Sequence, residues 1–263
     1  MSRIGKEFTL RKVKDEDFKT MLELHNICNP DWKISSQSME YWKKHGFHKE
    51  RSGGVVVFLK DKLIGFGTYR VHPGVAPYSP EELDINILVH PDFRRRGIGS
   101  TILKWLEDEV KRQFKVKRLT TGTMCEVGVK FLESHGFKET FREKIAFINL
   151  NEINLASLPD YKNHLFQRGI TIVSFDKALM WKEPADPVPY INPVGMLPPY
   201  QVEDIKYKLA YALIVEAIKY AKKRGYKNIK TWYTGNIAGI EKIYNTLGFK
   251  NRYFCVNFVK ELK

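Results

Sequence analysis

A basic segment in the first half of the chain has the residue types and spacing of a phosphate-binding loop. It reads Leu88-Val-His-Pro-Asp-Phe-Arg-Arg-Arg-Gly-Ile-Gly-Ser100, and leads from a strand-like stretch ending at Pro91 into a stretch with helical spacing. The first backbone amides of a helix have no intrahelical acceptor and carry a partial positive charge. Because glycine has no Cβ, a bulky anion can approach such a backbone closely. The segment therefore predicts a pyrophosphate site at a helix start.

The side chains of this segment would contribute to anion binding in different ways. Arginines supply positive charge, glycines give access to the backbone, and a serine adds a hydroxyl donor. Two other interpretations stay open. One is a dinucleotide or nucleotide site, although the segment contains neither GxGxxG nor GxxxxGK[ST], and the other is a helix cap with solvated arginines. The residues predicted to bind the anion are Arg94, Arg95, Arg96, Gly97, Ile98, Gly99 and Ser100.

The same segment resembles the acyl-CoA loop of the GCN5-related N-acetyltransferases (GNAT). The likeness rests on Arg-x-x-Gly-x-Gly after Val-His-Pro, and on Phe131-Leu-Glu-Ser-His-Gly-Phe137, which is similar to the second signature of that family. It covers residues 6–150 in full, and a truncated, degenerate copy covers 169–263. The resemblance implies the acyl-CoA N-acyltransferase fold, acetyl-CoA as co-substrate and no metal.

The resemblance also implies where the cofactor would lie. A central, mostly antiparallel sheet would splay where the strand at 85–89 meets the next strand. The pantetheine arm would lie in that splay against the backbone of Leu88 and Val89, and an amide there would polarise the thioester carbonyl. Phe131, in the second signature, is expected to contact the cofactor as well.

The hydrophobic pattern predicts an α/β chain whose mixed sheet is of the α+β type. Alternating apolar residues predict strands at 8–13, 55–59, 63–71, 85–89, 116–122, 141–150, 229–233 and 252–259. Helical spacing predicts helices at 18–24, 36–44, from Ile98 onward, near 127–134 and at 205–224, the last with Gly225 as its C-cap.

An internal repeat organises the chain. Phe131-Leu-Glu-Ser-His-Gly-Phe-Lys138 reappears as Ile243-Tyr-Asn-Thr-Leu-Gly-Phe-Lys250, each copy lying after a strand and a short helix and before a final strand. The pattern indicates a tandem duplication, with chance similarity of two turns as the alternative. We expect a GNAT domain with the acetyl-CoA site at 1–150, a connector at 151–168 and a truncated, non-catalytic lobe at 169–263.

The second copy lacks the phosphate-binding residues when it is aligned on the repeat. Gly97-Ile98-Gly99 falls on Lys208-Leu209-Ala210, so a lysine side chain stands where a phosphate would approach. Glu203 and Asp204 precede it in place of arginines. We therefore expect one cofactor site per chain.

Amide formation from a thioester needs a base for the amine, a donor for the oxyanion and an acid for the thiolate. The resemblance implies a carboxylate base near the start of the strand before the loop, and the candidates there are Glu81, Glu82 and Asp84. We favour Asp84, which alternation places on the same face as Leu88, with a solvated carboxylate as an equally open alternative. Leu132 stands where the family often has a tyrosine, so the acid stays unassigned. Cys125 as an acyl-carrying nucleophile is a less favoured possibility.

Composition bounds the remaining possibilities. The 263 residues are 43% hydrophobic and 28% charged, and the net charge of +14 divides evenly between residues 1–150 and the remainder. Such a charge favours anionic ligands. No apolar run is long enough for a membrane span and no apolar signal core follows Met1, so we expect a cytoplasmic protein without a membrane partner.

The leading hypothesis is direct transfer of acetyl from acetyl-CoA to the amine of a small molecule or peptide. The alternative is an acyl-CoA-binding regulatory module without turnover. Nucleic-acid binding, suggested by the positive charge alone, is a third and less favoured hypothesis. The sequence identifies neither the acceptor nor the oligomeric state.

Overall fold

The chain forms two compact units in a computed structural model. The first consists of Met1–Thr140, Pro184–Asp186 and Val256–Lys263, and the second of Phe141–Glu183 and Pro187–Cys255. The structure describes residues 8–30, 33–37, 51–71, 81–172, 180–181, 190–191, 203–234 and 239–262.

The first unit is built on a sheet that is antiparallel except at one pair of strands. Its strand order is β1-β2-β3-β4-β5-β10, and only β4 and β5 run parallel. Residues 36 and 37 are helical as predicted, whereas 38–44 lie outside the described residues. The elements are β1 (Phe8–Lys12), α1 (Phe18–Cys28), β2 (Gly53–Leu59), β3 (Lys62–Arg70), β4 (Glu82–Val89), α2 (Ile98–Gln113), β5 (Arg118–Thr123), α3 (Glu126–Ser134) and β10 (Lys250–Glu261), of which residues 256–261 belong to this unit.

Helix α2 covers one face of this sheet. The apolar face predicted for it is confirmed, since its members are at most 2% exposed, and burial of each such side chain contributes roughly 1.5–3 kcal/mol. Gly67 of β3 allows α2 to pack close to the sheet, because a Cβ at this position would lie 2.3 Å from Cγ2 of Ile102. The buried residues of this face are Ile98, Ile102, Leu103, Leu106 and Val110.

The strands of the second unit are also mixed in direction, and this unit has its own hydrophobic core. The strand order is β6-β9-β8-β7, in which β8 and β9 run parallel and the other pairs antiparallel. Among the described residues, no helix is both long enough and apolar enough to cross a membrane. The elements are β6 (Lys138–Asn149), of which residues 141–149 belong to this unit, α4 (Tyr161–Phe166), β7 (Met180–Trp181), β8 (Tyr190–Ile191), α5 (Glu203–Lys223), β9 (Asn228–Thr234) and α6 (Ile240–Thr246), together with residues 250–255 of β10.

The predicted repeat is present as a repeated order of elements. The series β3-β4-α2-β5-α3-β6 corresponds to β7-β8-α5-β9-α6-β10, and each contains an antiparallel pair followed by a parallel crossover. The closing strands are exchanged, because residues 256–261 of β10 pair with β5, whereas residues 143–149 of β6 pair with β9. The compact units therefore differ from the sequence repeats in their last strands. The division of function among 1–150, 151–168 and 169–263 stays a prediction.

Candidate functional site

The sheet of the first unit opens between β4 and β5, at the place that the resemblance implied. The two strands share three residue pairs, the last of which joins Asp84 to Thr120. Beyond it, β4 continues to Val89 and β5 to Thr123, with no further pair between them in the described range 81–172. The backbone of the last residues of β4 on this side is therefore available to a ligand.

Strand alternation decides which backbone groups face the opening. The His90 N–H donates to the Ile64 carbonyl at 2.9 Å, and the β3–β4 register pairs Leu88 with Phe66. In an antiparallel ladder, alternate residues direct both backbone groups to the partner strand. Leu88 therefore directs its N–H and C=O to β3, whereas Val89 directs its own to the opening. Of the two backbone positions predicted from the resemblance, Val89 is the one available there, and Leu88 packs its side chain against the cluster around Met21 and Leu24.

The carbonyl of Val89 is held in place by two side chains. Arg94 Nε donates to it at 3.1 Å, and the Cys28 thiol donates to it at 3.5 Å. Burial is the main cause of the raised pKa of the Cys28 thiol, which the Arg94 guanidinium partly offsets. Arg94 thus turns back onto the end of β4, and the N–H of Val89, like that of Ile87, is directed to the opening.

The loop before α2 has the backbone conformation of an anion-binding concavity. Arg94 is extended, Arg95 has φ of 62° and Gly97 has φ of 80°, after which α2 begins at Ile98. Left-handed residues placed between right-handed or extended ones turn successive N–H groups toward one point. A left-handed conformation costs a non-glycine residue about 1–2 kcal/mol, so Arg95 is strained. A Cβ on Gly97 would meet nothing within 4 Å, so the space in front of the helix start is open.

The three arginines of the loop have different surroundings. Arg96 is exposed, lies over the Phe93 ring with its Cζ 5.2 Å from the centroid, and donates from Nη2 to the Asp92 carbonyl at 3.4 Å. Arg95 is exposed and makes no hydrogen bond or ion pair with any other residue that the structure describes. Arg95 and Arg96 therefore present their charge at the surface, whereas Arg94 is tied to β4.

Phe131 of α3 lies beside the start of α2. A Cβ on Gly99 would be 3.1 Å from Cε2 of the Phe131 ring, so the absence of a side chain at Gly99 allows this contact. The two sequence signatures therefore meet in the folded unit. Their meeting supports the prediction that both contribute to one site.

His135, which was not among the residues predicted for the site, also lies in it. Its Nε2 is 2.9 Å from Oγ of Ser100, its Nδ1 is 2.8 Å from the Phe131 carbonyl oxygen, and its ring centroid is 4.3 Å from that of Phe131. A spacing of four residues from Phe131 was the available signal, since side chains at i and i+4 share a helix face.

Each of the three candidate bases forms an ion pair. Asp84 Oδ2 accepts from Arg70 Nε at 3.2 Å, Glu81 pairs with Lys117 at 2.6 Å, and Glu82 pairs with Arg118 at 2.7 Å. Asp84 is the most sheltered, with 16% of its side chain exposed. Sequence spacing did not predict these pairings.

Leu132, which stands where the family often has a tyrosine acid, and Cys125, the possible nucleophile, have different surroundings. Leu132 is 6% exposed and belongs to the core under α2. Cys125 is exposed and its N–H donates to Oγ1 of Thr123 at 3.4 Å. No histidine or carboxylate contacts the Cys125 thiol among the described residues, so the structure adds no support for an acyl-carrying thiol.

The aligned stretch of the second unit has a different backbone. Lys208 and Ala210 lie inside α5, which is already helical at Glu203, and Lys208 Nζ donates to Nε2 of His164 at 3.0 Å. Tyr244, the counterpart of Leu132, is fully buried, and burial raises the pKa of its hydroxyl.

Comparison with known proteins identifies what these features resemble. Residues 18–137 match the model of the Acetyltransferase (GNAT) family. The match supports that family for the first unit. An uncharacterized N-acetyltransferase of Methanocaldococcus jannaschii is 26% identical over 140 residues, which are 51% of this chain and 62% of that protein. The chain therefore spans less than two thirds of this curated relative.

Two solved structures match nearly the whole chain. A GCN5-related N-acetyltransferase from Sphaerobacter thermophilus has a TM-score of 0.69 at 15% identity, covering 98% of this chain and 97% of that one. A tandem GNAT protein from the clavulanic acid biosynthesis pathway has a TM-score of 0.70 at 12% identity, covering 98% and 99%. The fold is therefore the mixed α/β acyl-CoA N-acyltransferase fold in tandem form, as predicted.

Proposed function

We propose that this protein is an acetyl-CoA-dependent N-acetyltransferase that moves an acetyl group directly to an amine. The observation that carries the proposal is the opening between β4 and β5, which ends directly at a loop with left-handed residues at 95 and 97 and a helix start. An opening of this kind offers backbone groups to an extended amide-containing arm. The adjoining helix start offers N–H groups to a pyrophosphate.

The residues of the first unit fit acetyl-CoA. The free N–H of Val89 faces the opening, Gly97 leaves open space before the helix, and the loop arginines supply charge. Ile98, Gly99 and Ser100 would offer their amides and one hydroxyl, and Phe131 would bound the site on the α3 side. Leu88 would contribute through its place in β4 and not through its amide.

The chain's own groups would act mainly by positioning. Acetyl-CoA supplies the activated acetyl group. The N–H of Val89 is placed to polarise a carbonyl in the opening, and holding two reactants together removes much of the entropic barrier. Asp84 stays the proposed base, on the face of β4 that also carries Leu88. We expect Asp84→Asn to lower kcat with little change in the acetyl-CoA Kd, because Asp84 lies at the closed end of the opening.

We further propose that the second unit holds no cofactor. Residues 208–210 lie within a helix, where their amides are used by intrahelical hydrogen bonds. This supports one site per chain, with 151–168 as a connector and 169–263 as a non-catalytic lobe.

The second candidate function is an acyl-CoA-binding module without turnover. Its supporting observation is that the candidate bases Glu81, Glu82 and Asp84 are all ion-paired and that Leu132 replaces a tyrosine acid. Sustained release of free CoA thiol in the presence of any amine would exclude it.

The acceptor is proposed to be the amine of a small molecule or peptide. The net charge of +14 favours an acceptor that also carries a carboxylate or phosphate. A panel of amines with and without an acidic group, assayed by thiol release and by the mass of the product, distinguishes these classes.

The deciding experiment is a calorimetric titration with acetyl-CoA of the wild type, Gly97→Glu and Gly225→Glu. Both glycines are left-handed, with φ of 80° and 77°, and a Cβ at either meets nothing within 4 Å. The two variants therefore carry similar backbone strain, about 1–2 kcal/mol each. Only Gly97→Glu would place a like charge against the pyrophosphate, which costs several kcal/mol.

We expect one acetyl-CoA per wild-type chain, retained in Gly225→Glu and weakened at least roughly a hundredfold in Gly97→Glu. Two sites per chain would contradict the assignment of the second unit. Absence of binding, or binding indifferent to Gly97→Glu, would contradict the proposed function.

A further inference from the structure

The imidazole of His135 is fixed at both ring nitrogens. Nδ1 lies 2.8 Å from the Phe131 carbonyl oxygen, and Nε2 lies 2.9 Å from Oγ of Ser100. The ring also lies against the Phe131 ring at an interplanar angle of 37°. Ser100 lies in the first turn of α2, at the proposed pyrophosphate site. The imidazole therefore contacts the hydroxyl that would bind the ligand.

The contact at Nδ1 determines the tautomer. A carbonyl oxygen can only accept, so Nδ1 at this distance must carry a hydrogen. Ser134 Oγ lies 3.1 Å from Nδ1 but donates its own hydrogen to the same carbonyl at 2.8 Å, so it does not compete as a donor to the ring. In the neutral ring Nε2 is then an acceptor, and Ser100 must donate its single hydrogen to it.

While the ring is neutral, the Ser100 hydroxyl has no hydrogen left to donate to a phosphate. Ser100 then presents only oxygen lone pairs to the loop, and phosphate oxygens are acceptors as well. A proton on Nε2 reverses the contact, because the ring then donates to Ser100 Oγ and the serine hydrogen is free for the phosphate. The imidazolium also adds a positive charge behind the serine.

We propose that His135 is a further binding residue of the pyrophosphate site and takes up one proton from solvent when pyrophosphate binds beside Ser100. The proton is added to Nε2, the Ser100 hydrogen turns from the ring to a phosphate oxygen, and no covalent bond between heavy atoms changes. The inference rests on the proposed function, because it takes loop 94–100 as the pyrophosphate site.

Charged residues of α2, β10 and the loop lie on the side of His135 where the ligand would bind. Lys104 and Glu107 lie on the face of α2 that carries Ser100, and Lys260 of β10 pairs with Glu107 at 2.6 Å. That pair is neutral overall, whereas Lys104 and the arginines at 94–96 are cations. A pyrophosphate bound beside Ser100 would add negative charge on the other side of that hydroxyl from the ring, which favours the imidazolium in the complex.

The test uses dephospho-CoA as the probe. Its pyrophosphate diester stays ionised around neutral pH, whereas the phosphate monoester of CoA itself titrates near about pH 6. Calorimetry at about pH 7.5, in two buffers of different ionisation enthalpy, measures the protons taken up on binding. Pantetheine, which lacks phosphate, is the control ligand.

We expect the wild type to take up close to one proton with dephospho-CoA and none with pantetheine. Wherever binding takes up this proton, the affinity of the wild type for dephospho-CoA should fall by up to about tenfold per pH unit. His135→Gln keeps an N–H donor toward Ser100 but cannot titrate, so it should bind without proton uptake and with a flat pH profile. His164→Gln, a histidine of the second unit, should behave as the wild type.

A second readout does not depend on a variant. The ring carbon–proton resonances of His135 should move from neutral to imidazolium positions when dephospho-CoA is added to the wild-type protein. Binding without proton uptake, uptake that persists in His135→Gln, or uptake caused by pantetheine would each overturn the inference while leaving the proposed function intact. If neither acetyl-CoA nor dephospho-CoA binds, the proposed function itself is wrong and this inference falls with it.

Discussion

The stretch before α2 in the first unit and its counterpart in the second unit have the same place in the repeat and different backbones. In the first unit the chain passes through Arg95 and Gly97 in left-handed conformation, and the helix begins only at Ile98. In the second unit α5 is helical from Glu203, so residues 208–210 are in its interior. A helix start leaves amides free for an anion, whereas a helix interior uses them.

The proposed binding site therefore depends on where the helix begins. Both helices have buried faces and support the sheets of their units. Residues 208–210 therefore retain the packing role of the element, and as residues of a helix interior they do not offer free amides to an anion. Buried titratable groups differ between the units too, since ion-paired carboxylates are buried in the first and a thiol in the second.

The largest expected effect compares Gly99, at the start of α2, with Ala210, the aligned residue inside α5. Gly99→Val should weaken acetyl-CoA binding roughly ten- to a hundredfold, because a Cβ there meets the Phe131 ring at 3.1 Å, and overpacking of this kind displaces neighbours. Ala210→Val at the aligned position is also overpacked, since Ala210 is 4% exposed, and should lower stability by about 1–3 kcal/mol. Its acetyl-CoA Kd, titrated below the melting temperature, should equal that of the wild type. Equal weakening of acetyl-CoA binding in both variants would contradict the proposal that only the first unit binds the cofactor.

A second prediction concerns the buried thiol of the second unit. Burial raises the pKa of Cys255 to about 12 from its usual 9.0, so the folded chain keeps a proton that the unfolded chain loses. The free energy of unfolding should therefore fall between about pH 9 and 12, by up to about 1.4 kcal/mol per pH unit. Denaturant titrations at several alkaline pH values should show a shallower slope in Cys255→Ser than in the wild type. Cys125→Ser, at an exposed thiol, should leave the slope unchanged, and a wild-type slope in Cys255→Ser would contradict the assignment.

The smallest expected effect compares two left-handed residues, one in each unit. Arg95→Gly removes the strain of φ at 62° and should raise the free energy of unfolding by about 1 kcal/mol, while acetyl-CoA binding loses a few-fold from the missing charge. Gly225→Ala at φ of 77° should lower stability by about the same amount and leave binding unchanged. Thermal melts and titrations of the two variants measure both quantities. A destabilised Arg95→Gly would show that contacts of the arginine outweigh its backbone strain.

Several features of the fold follow from local sequence, and others do not. Spacing alone predicted the buried face of α2, the strand at 85–89 and the C-cap at Gly225, which the structure places in left-handed conformation after α5. These depend on periodicity and on the conformational freedom of glycine within a few residues. The exchange of closing strands between β6 and β10 was not predicted. Each is the final strand of one copy of the repeat, so the local pattern does not decide which of them pairs with β5 and which with β9.

The sequence by itself determined which residues could bind a pyrophosphate, since a glycine pair at a helix start and a run of arginines are local properties. Only the tertiary structure decided that the Val89 amide faces the opening, that Arg70 holds Asp84, and that His135 lies against Ser100. Each of these depends on contacts between residues at least 14 positions apart, such as the 35 positions between Ser100 and His135. No periodicity within one element encodes such a contact, because it forms only when separate elements pack against one another.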